Sequence, residues 1–137
     1  MPVKRGCGTR KSGYLLGMET VKGCTVIQQG SIEGILTFGP EETAGSYSVM
    51  VGEGPGGVPG PALHEHPTTD EAFYVAEGEA LFQLGDEEIL VPSGGFVFVP
   101  RGTVHTVSNP GSGTLRGLII ISPGNVEHEF VEVEQSR

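Results

Sequence analysis

The chain has 137 residues, with 8 Lys and Arg against 17 Asp and Glu and a formal net charge of −9. That length suits one domain able to bury roughly two thirds of its unfolded surface, and the acidic balance disfavours a nucleic-acid partner because it repels phosphate backbones. No run approaches the ~18 apolar residues that a membrane span needs, while 23 glycines, 10 prolines and no Trp suit short strands joined by many tight turns.

Residues 1–13 are polar and glycine-rich and are expected to form a flexible arm ahead of a single domain over 14–137. Charge is uneven here. Residues 1–22 carry Lys4, Arg5, Arg10, Lys11 and Lys22 against Glu19, whereas the rest of the chain has three basic and sixteen acidic residues. No apolar segment follows the basic residues, so no signal peptide is expected. Cys7 and Cys24 do not form a CxxC pair and read as free thiols in a reducing cytoplasm.

Short runs at 14–18, 24–28, 34–38 and 46–51 are rich in β-branched and aromatic residues and predict strands. Residues 52–61, GEGPGGVPGP, contain a literal G-x-G-x-x-G at Gly52, Gly54 and Gly57. A phosphate-binding fingerprint must open a helix, and Pro59 and Pro61 stand where that helix would run, so the stretch is expected to be a loop. EAFYVAEGE and ALFQL follow, then a turn at Gly85-Asp86 that could join ALFQL to EEILV as a hairpin. GGFVFVP, a turn at Pro100-Arg101-Gly102, HTVSN, a turn at Pro110–Gly113 and TLRGLIIIS continue the pattern. Residues 123–134 could form one short helix with Ser122 as its cap and Pro123 at its first position. The fold class is therefore all-β, built of antiparallel strands as a sandwich, jelly roll or barrel.

Residues 64–71 read HEHPTTDE. Side chains two apart on a strand share a face, so His64 and His66 project together. The bend at Pro67–Asp70 resets the face, which lets Glu71 aim at the same point; Asp70 is the rival carboxylate. His105 opens a strand about one hairpin later. Three imidazoles and a carboxylate would suit one divalent Fe, Mn, Co, Ni, Cu or Zn ion and leave two of six positions for water, substrate or O2. Taken singly, each of these residues reads more simply as a loop histidine or a solvated carboxylate. His128 reads as exposed. Phe73, Val75, Phe82, Phe96 and Phe98 read as core or pocket wall, and Tyr74 as a packing residue or a support for the ligands.

The pattern resembles the cupin superfamily. In the first motif His64, His66 and Glu71 match, and Gly78 closes it after six residues; Val58 stands where the opening Gly belongs, flanked by Gly57 and Gly60. In the second motif Gly94, Pro100, Gly102, His105 and Asn109 match at every spacing. Within the superfamily, the segments are most similar to small bacterial cupins grouped with flavonol (quercetin) dioxygenases. The resemblance implies a jelly-roll barrel with the metal inside, ligated by His64, His66, Glu71 and His105. It also implies a non-haem metal-dependent dioxygenase or related oxidoreductase acting on a small hydroxylated or aromatic compound. For Glu71 it implies a second, catalytic role, taking a proton from the substrate hydroxyl. A non-redox cyclase, isomerase or lyase would use the same ligands, and a non-catalytic binding module would share the fold. The resemblance further implies a homodimer, formed by sheet extension or by exchange of N-terminal strands from 14–28; a cytoplasmic location is the expectation from the cysteines and the lack of a signal peptide.

Overall fold

The computed structural model describes residues 3–5, 14–15, 18–19, 25–29, 32–124 and 131–132, with side chains described over 39–124. Its strands run in chain order: β1 (Val3–Arg5), β2 (Tyr14–Leu15), β3 (Met18–Glu19), β4 (Thr25–Gln29), β5 (Ile32–Phe38), β6 (Ser48–Gly54), β7 (His64–Glu65), β8 (Asp70–Glu77), β9 (Glu79–Leu84), β10 (Glu87–Pro92), β11 (Phe96–Val99), β12 (His105–Ser108), β13 (Leu115–Ser122) and β14 (Val131–Glu132). One turn of helix, α1 (Pro40–Thr43), precedes β6. Among the described residues no helix is long and apolar enough to cross a membrane.

Every strand pairing is antiparallel. A seven-stranded sheet has the order β1-β4-β5-β6-β13-β8-β11, and a five-stranded sheet the order β10-β9-β12-β7-β14; β2 and β3 form a separate pair. Two sheets of this order packed face to face make a jelly roll. Within the arm expected over 1–13, Val3–Arg5 pairs with β4; the remainder of that arm, Cys7, Cys24 and His128 lie outside the described residues.

Alternation decides what lies between the sheets. Along β8, Glu71, Phe73 and Val75 are buried while their neighbours face out. Across the pairings, Phe73 stands beside Val97 of β11 and Ile119 of β13, and Ile119 beside Met50 of β6. The opposite sheet contributes Ala80, Phe82, Val91 and Val107 to the same core. Phe73 and Phe82 meet across the gap at 5.1 Å between ring centroids, near edge to face, a geometry that adds about 0.5–1.5 kcal/mol to the area they bury.

The structure differs from the sequence-based expectations in three places. Gly52–Gly54 continue β6 instead of opening the loop, because they pair with Leu115–Gly117 of β13. The helix expected over 123–134 is not formed at its described ends: Ser122 closes β13, and Val131–Glu132 pair with β7 as β14. Residues 125–130 lie outside the described residues. Phe96 and Phe98 are not core or pocket wall. They are 71% and 62% exposed, because β11 turns Val97 and Val99 inward.

The 55–63 loop that leads into β7 is held from β12. Asn109, 3% exposed, donates from Nδ2 to the carbonyls of Gly54, Pro55 and Gly113 and accepts from Gly111 N–H. Its own N–H reaches Val58 O, and Thr106 Oγ1 donates to Pro61 O at 2.6 Å. Gly60 passes so close that an added Cβ would lie 1.5 Å from Val107 O, so only glycine fits. Replacing Asn109 by Ala orphans several of these buried groups, at roughly 1–3 kcal/mol each for those that water does not reach. Asn109→Ala is expected to lose about 2–3 kcal/mol in urea unfolding, and an unchanged midpoint would show that the loop is held in some other way.

Candidate metal centre

His64 and His105 are direct register partners across the β7–β12 pair. Their ring centroids lie 4.3 Å apart, and His66, just beyond β7, lies 5.0 Å from His64 and 5.3 Å from His105. One ligand atom from each imidazole can be chosen so that all three fall within 4.8 Å of one another. The three residues are 2–5% exposed. Three buried histidines gathered in this way could hold a metal ion.

The tautomers fit that use. His64 Nδ1 lies 2.7 Å from Ala62 O, and His105 Nδ1 lies 2.8 Å from Thr103 O. A carbonyl only accepts, so each Nδ1 must carry the proton, and the lone pair is left on Nε2. Ring N–H groups held by backbone carbonyls in this way are the usual outer support of metal-bound histidines. His105 Nε2 is buried with no hydrogen-bond partner among the described residues, an arrangement that costs free energy unless a further group satisfies it. The turn at 100–103 adds a tie to His66, whose carbonyl accepts the Gly102 N–H at 2.8 Å.

Glu71 comes from the other sheet. It is 4% exposed, with Oε1 2.5 Å from His66 Nε2 and Oε2 3.7 Å from His105 Nε2. The rival Asp70 faces outward and is held by Arg101, through the backbone N–H at 2.8 Å and two guanidinium contacts. The sequence spacing thus favours the carboxylate that the structure brings to the imidazoles. Tyr74 is not at the cluster; it lies on the outer face of the large sheet against Phe96, at 4.7 Å between centroids. Residue types could not have revealed the carbonyls of Ala62 and Thr103, since any residue supplies one. The loop contacts of Gly60 and Thr106 were equally hidden, although Gly60 stood beside the displaced motif glycine.

Burial lowers the His64 pKa from its ordinary 6.5 to about 4, with the neighbouring His105 and His66 adding to the shift against the opposing Ala62 hydrogen bond. The ring is therefore neutral and ligand-ready at pH 7. Burial pushes the Glu71 carboxyl up, but the His105 and His66 rings beside it outweigh that and hold the group below the ordinary carboxylate range. An apolar cavity of about 40 Å³, lined in part by Phe73, Val75, Phe82 and Ile119, is not bordered by any residue of the cluster.

Comparisons with known proteins agree with this architecture. A family model described as "Cupin domain" matches residues 49–121, just over half of the chain. An uncharacterized protein of Methanocaldococcus jannaschii is 34% identical over 71 residues, 52% of this chain and 56% of that protein. The tetracenomycin polyketide synthase protein TcmJ of Streptomyces glaucescens is 33% identical over 60 residues, 44% of this chain and 40% of its own. The match thus spans about half the length of these relatives. Among solved structures, the nucleoside dehydratase Pac13 of Streptomyces superposes with a TM-score of 0.65 over 82% of this chain and 86% of its own, at 15% identity. At that identity the likeness is one of fold.

The shift at His64 has a consequence for metal-free protein. Between pH 6.5 and about 4 the unfolded chain binds a proton at this residue that the folded chain refuses. Folding stability is then full above pH 6.5 and falls as the pH drops towards 4. Glu71, also lowered in the fold, acts in the same direction further down. In chelator-treated protein the urea midpoint is expected to drop between pH 7.5 and 5, and less so in His64→Asn; equal pH slopes for the two proteins would contradict the assignment.

Proposed function

The chain belongs to the cupin family, and on that premise we propose that it is a metal-dependent oxidoreductase of the dioxygenase class acting on a small hydroxylated or aromatic compound. The carrying observation is the convergence of His64, His66 and His105, with two rings fixed by backbone carbonyls and the Glu71 carboxylate against them. His64, His66, His105 and Glu71 would hold one divalent transition-metal ion. When bound, that ion would supply a Lewis acid that lowers the pKa of a substrate hydroxyl and an open position for O2. Glu71, kept anionic by its imidazole neighbours, would accept the hydroxyl proton at one carboxylate oxygen. The apolar side chains around it keep water away and strengthen every charge interaction inside.

A non-redox isomerase or lyase would use the same ligands with the metal as a Lewis acid. Consumption of O2 separates the two readings.

Mass spectrometry of protein purified without added metal or chelator tests the proposal. Near-stoichiometric metal is expected in the wild type. Loss in His64→Ala and in His105→Ala should exceed the roughly 10–100-fold cost of removing an outer support of a metal site, with the circular dichroism of the fold retained. Glu71→Gln should abolish O2 uptake on a panel of hydroxylated aromatic compounds while the histidines still retain some metal. A wild type that takes up no metal after reconstitution would sink the proposal, and turnover without O2 consumption would move the site to the lyase and isomerase class.

A further inference from the structure

Asp70 and Glu71 are adjacent carboxylates at the start of β8, and they face opposite ways. Glu71 points in against the imidazoles, and Asp70 points out to Arg101. A slip of β8 by one residue would exchange them and carry Glu71 into solvent. A contact that keeps Asp70 outside therefore also keeps Glu71 inside.

That contact reaches the rest of the centre. Arg101 lies in the turn between β11 and β12 and holds Asp70 at three points. Its backbone N–H donates to Oδ1 at 2.8 Å, its Nε donates to Oδ1 at 3.2 Å, and its Nη2 donates to Oδ2 at 3.1 Å. The next residue, Gly102, donates its N–H to His66 O, and Thr103 after it offers its carbonyl to His105 Nδ1. Val99, ahead of the turn, is the register partner of Glu71. The stretch 99–103 thus touches the segments that carry Glu71, His66 and His105.

The two side chains of the pair are 51% and 32% exposed, and exposed ion pairs contribute little to stability. A guanidinium that grips both oxygens of a carboxylate is strongly directional, however. Position, rather than stability, is what such a pair supplies.

We propose that the Asp70–Arg101 pair is a positioning clamp, which sets how tightly the centre holds a divalent cation by fixing the turn at 100–103 against the start of β8. The proposal rests on the metal reading of the centre and assigns part of its affinity to two residues outside the ligand set. Charge alone would act differently. Asp70 favours a nearby cation and Arg101 opposes it, so by charge alone the loss of Asp70 weakens binding and the loss of Arg101 strengthens it. A clamp is lost from either end, so both losses weaken binding.

Cobalt(II) titration of chelator-stripped, full-length protein, in competition with a chelator of known affinity, tests the proposal. Asp70→Ala and Arg101→Ala are each expected to lower the affinity about 10-fold, the lower end of the cost of removing an outer support of a metal site. The double variant should bind no more weakly than either single one, since the two residues act as a unit. Arg101→Lys keeps the charge but not the two-pronged grip, and should weaken binding in the same sense. Arg116→Ala removes an exposed ion pair with Glu53 elsewhere on the large sheet and should leave the affinity unchanged. Urea midpoints of the metal-free variants should stay close to the wild type. Tighter binding by Arg101→Ala, unchanged binding by both single variants, or an equal loss in Arg116→Ala would overturn this proposal alone. So would a large drop in the metal-free midpoint with affinity retained, the mark of a merely structural pair. A wild type that takes up no cobalt would overturn it together with the metal reading.

Discussion

The centre depends on one local constraint: two imidazole rings are fixed by carbonyls of their own strands' approach segments. His64 and His105 each hold the carbonyl two residues upstream, Ala62 and Thr103. That contact decides which nitrogen carries the proton and which way the ring faces. Without it the two rings could turn, and a buried neutral imidazole would present donor or acceptor to the interior at random. Because the two residues are also register partners, one strand pair sets both the distance between the rings and their common direction.

Glu71 reaches the three imidazoles from the opposite sheet, so the carboxylate meets them only when the two sheets pack. Glu71 occupies the same inward row as Phe73 and Val75, and the hydrophobic burial of those residues places it. A carboxylate in that position is costly unless it is paired, and here it is surrounded by imidazoles. Burial and pairing thus act together: packing of apolar neighbours brings Glu71 in, and His66 and His105 keep it charged once there.

Much of this was legible in the sequence, because strand alternation and turn residues are strong signals in a glycine-rich β chain. The spacing of His64, His66 and His105 pointed to the buried imidazole cluster, beside which Glu71 lies, and the hairpin at Gly85-Asp86 formed as expected. What escaped was information that alternation does not contain. FVFV is apolar at every position, so nothing in it says whether its phenylalanines or its valines face inward; its register with β8 decides that. The glycines at 52 and 54 read as a loop because no side chain records their strand pairing. The helix expected near the C-terminus had a good cap residue and a favourable proline, yet Ser122 is held in β13 and Val131–Glu132 in β14 by long-range pairing, which local propensity cannot anticipate.

The short turn at 100–103 serves several masters. Gly102 holds the backbone of His66, Thr103 orients His105, and Arg101 anchors the outward carboxylate beside Glu71. Surface turns are ordinarily where a protein family gains and loses residues most freely. This one should be an exception. A single inserted residue there would displace supports of two histidines at once, so related chains that keep the centre should keep this turn at constant length, whatever they do to the rest of their loops.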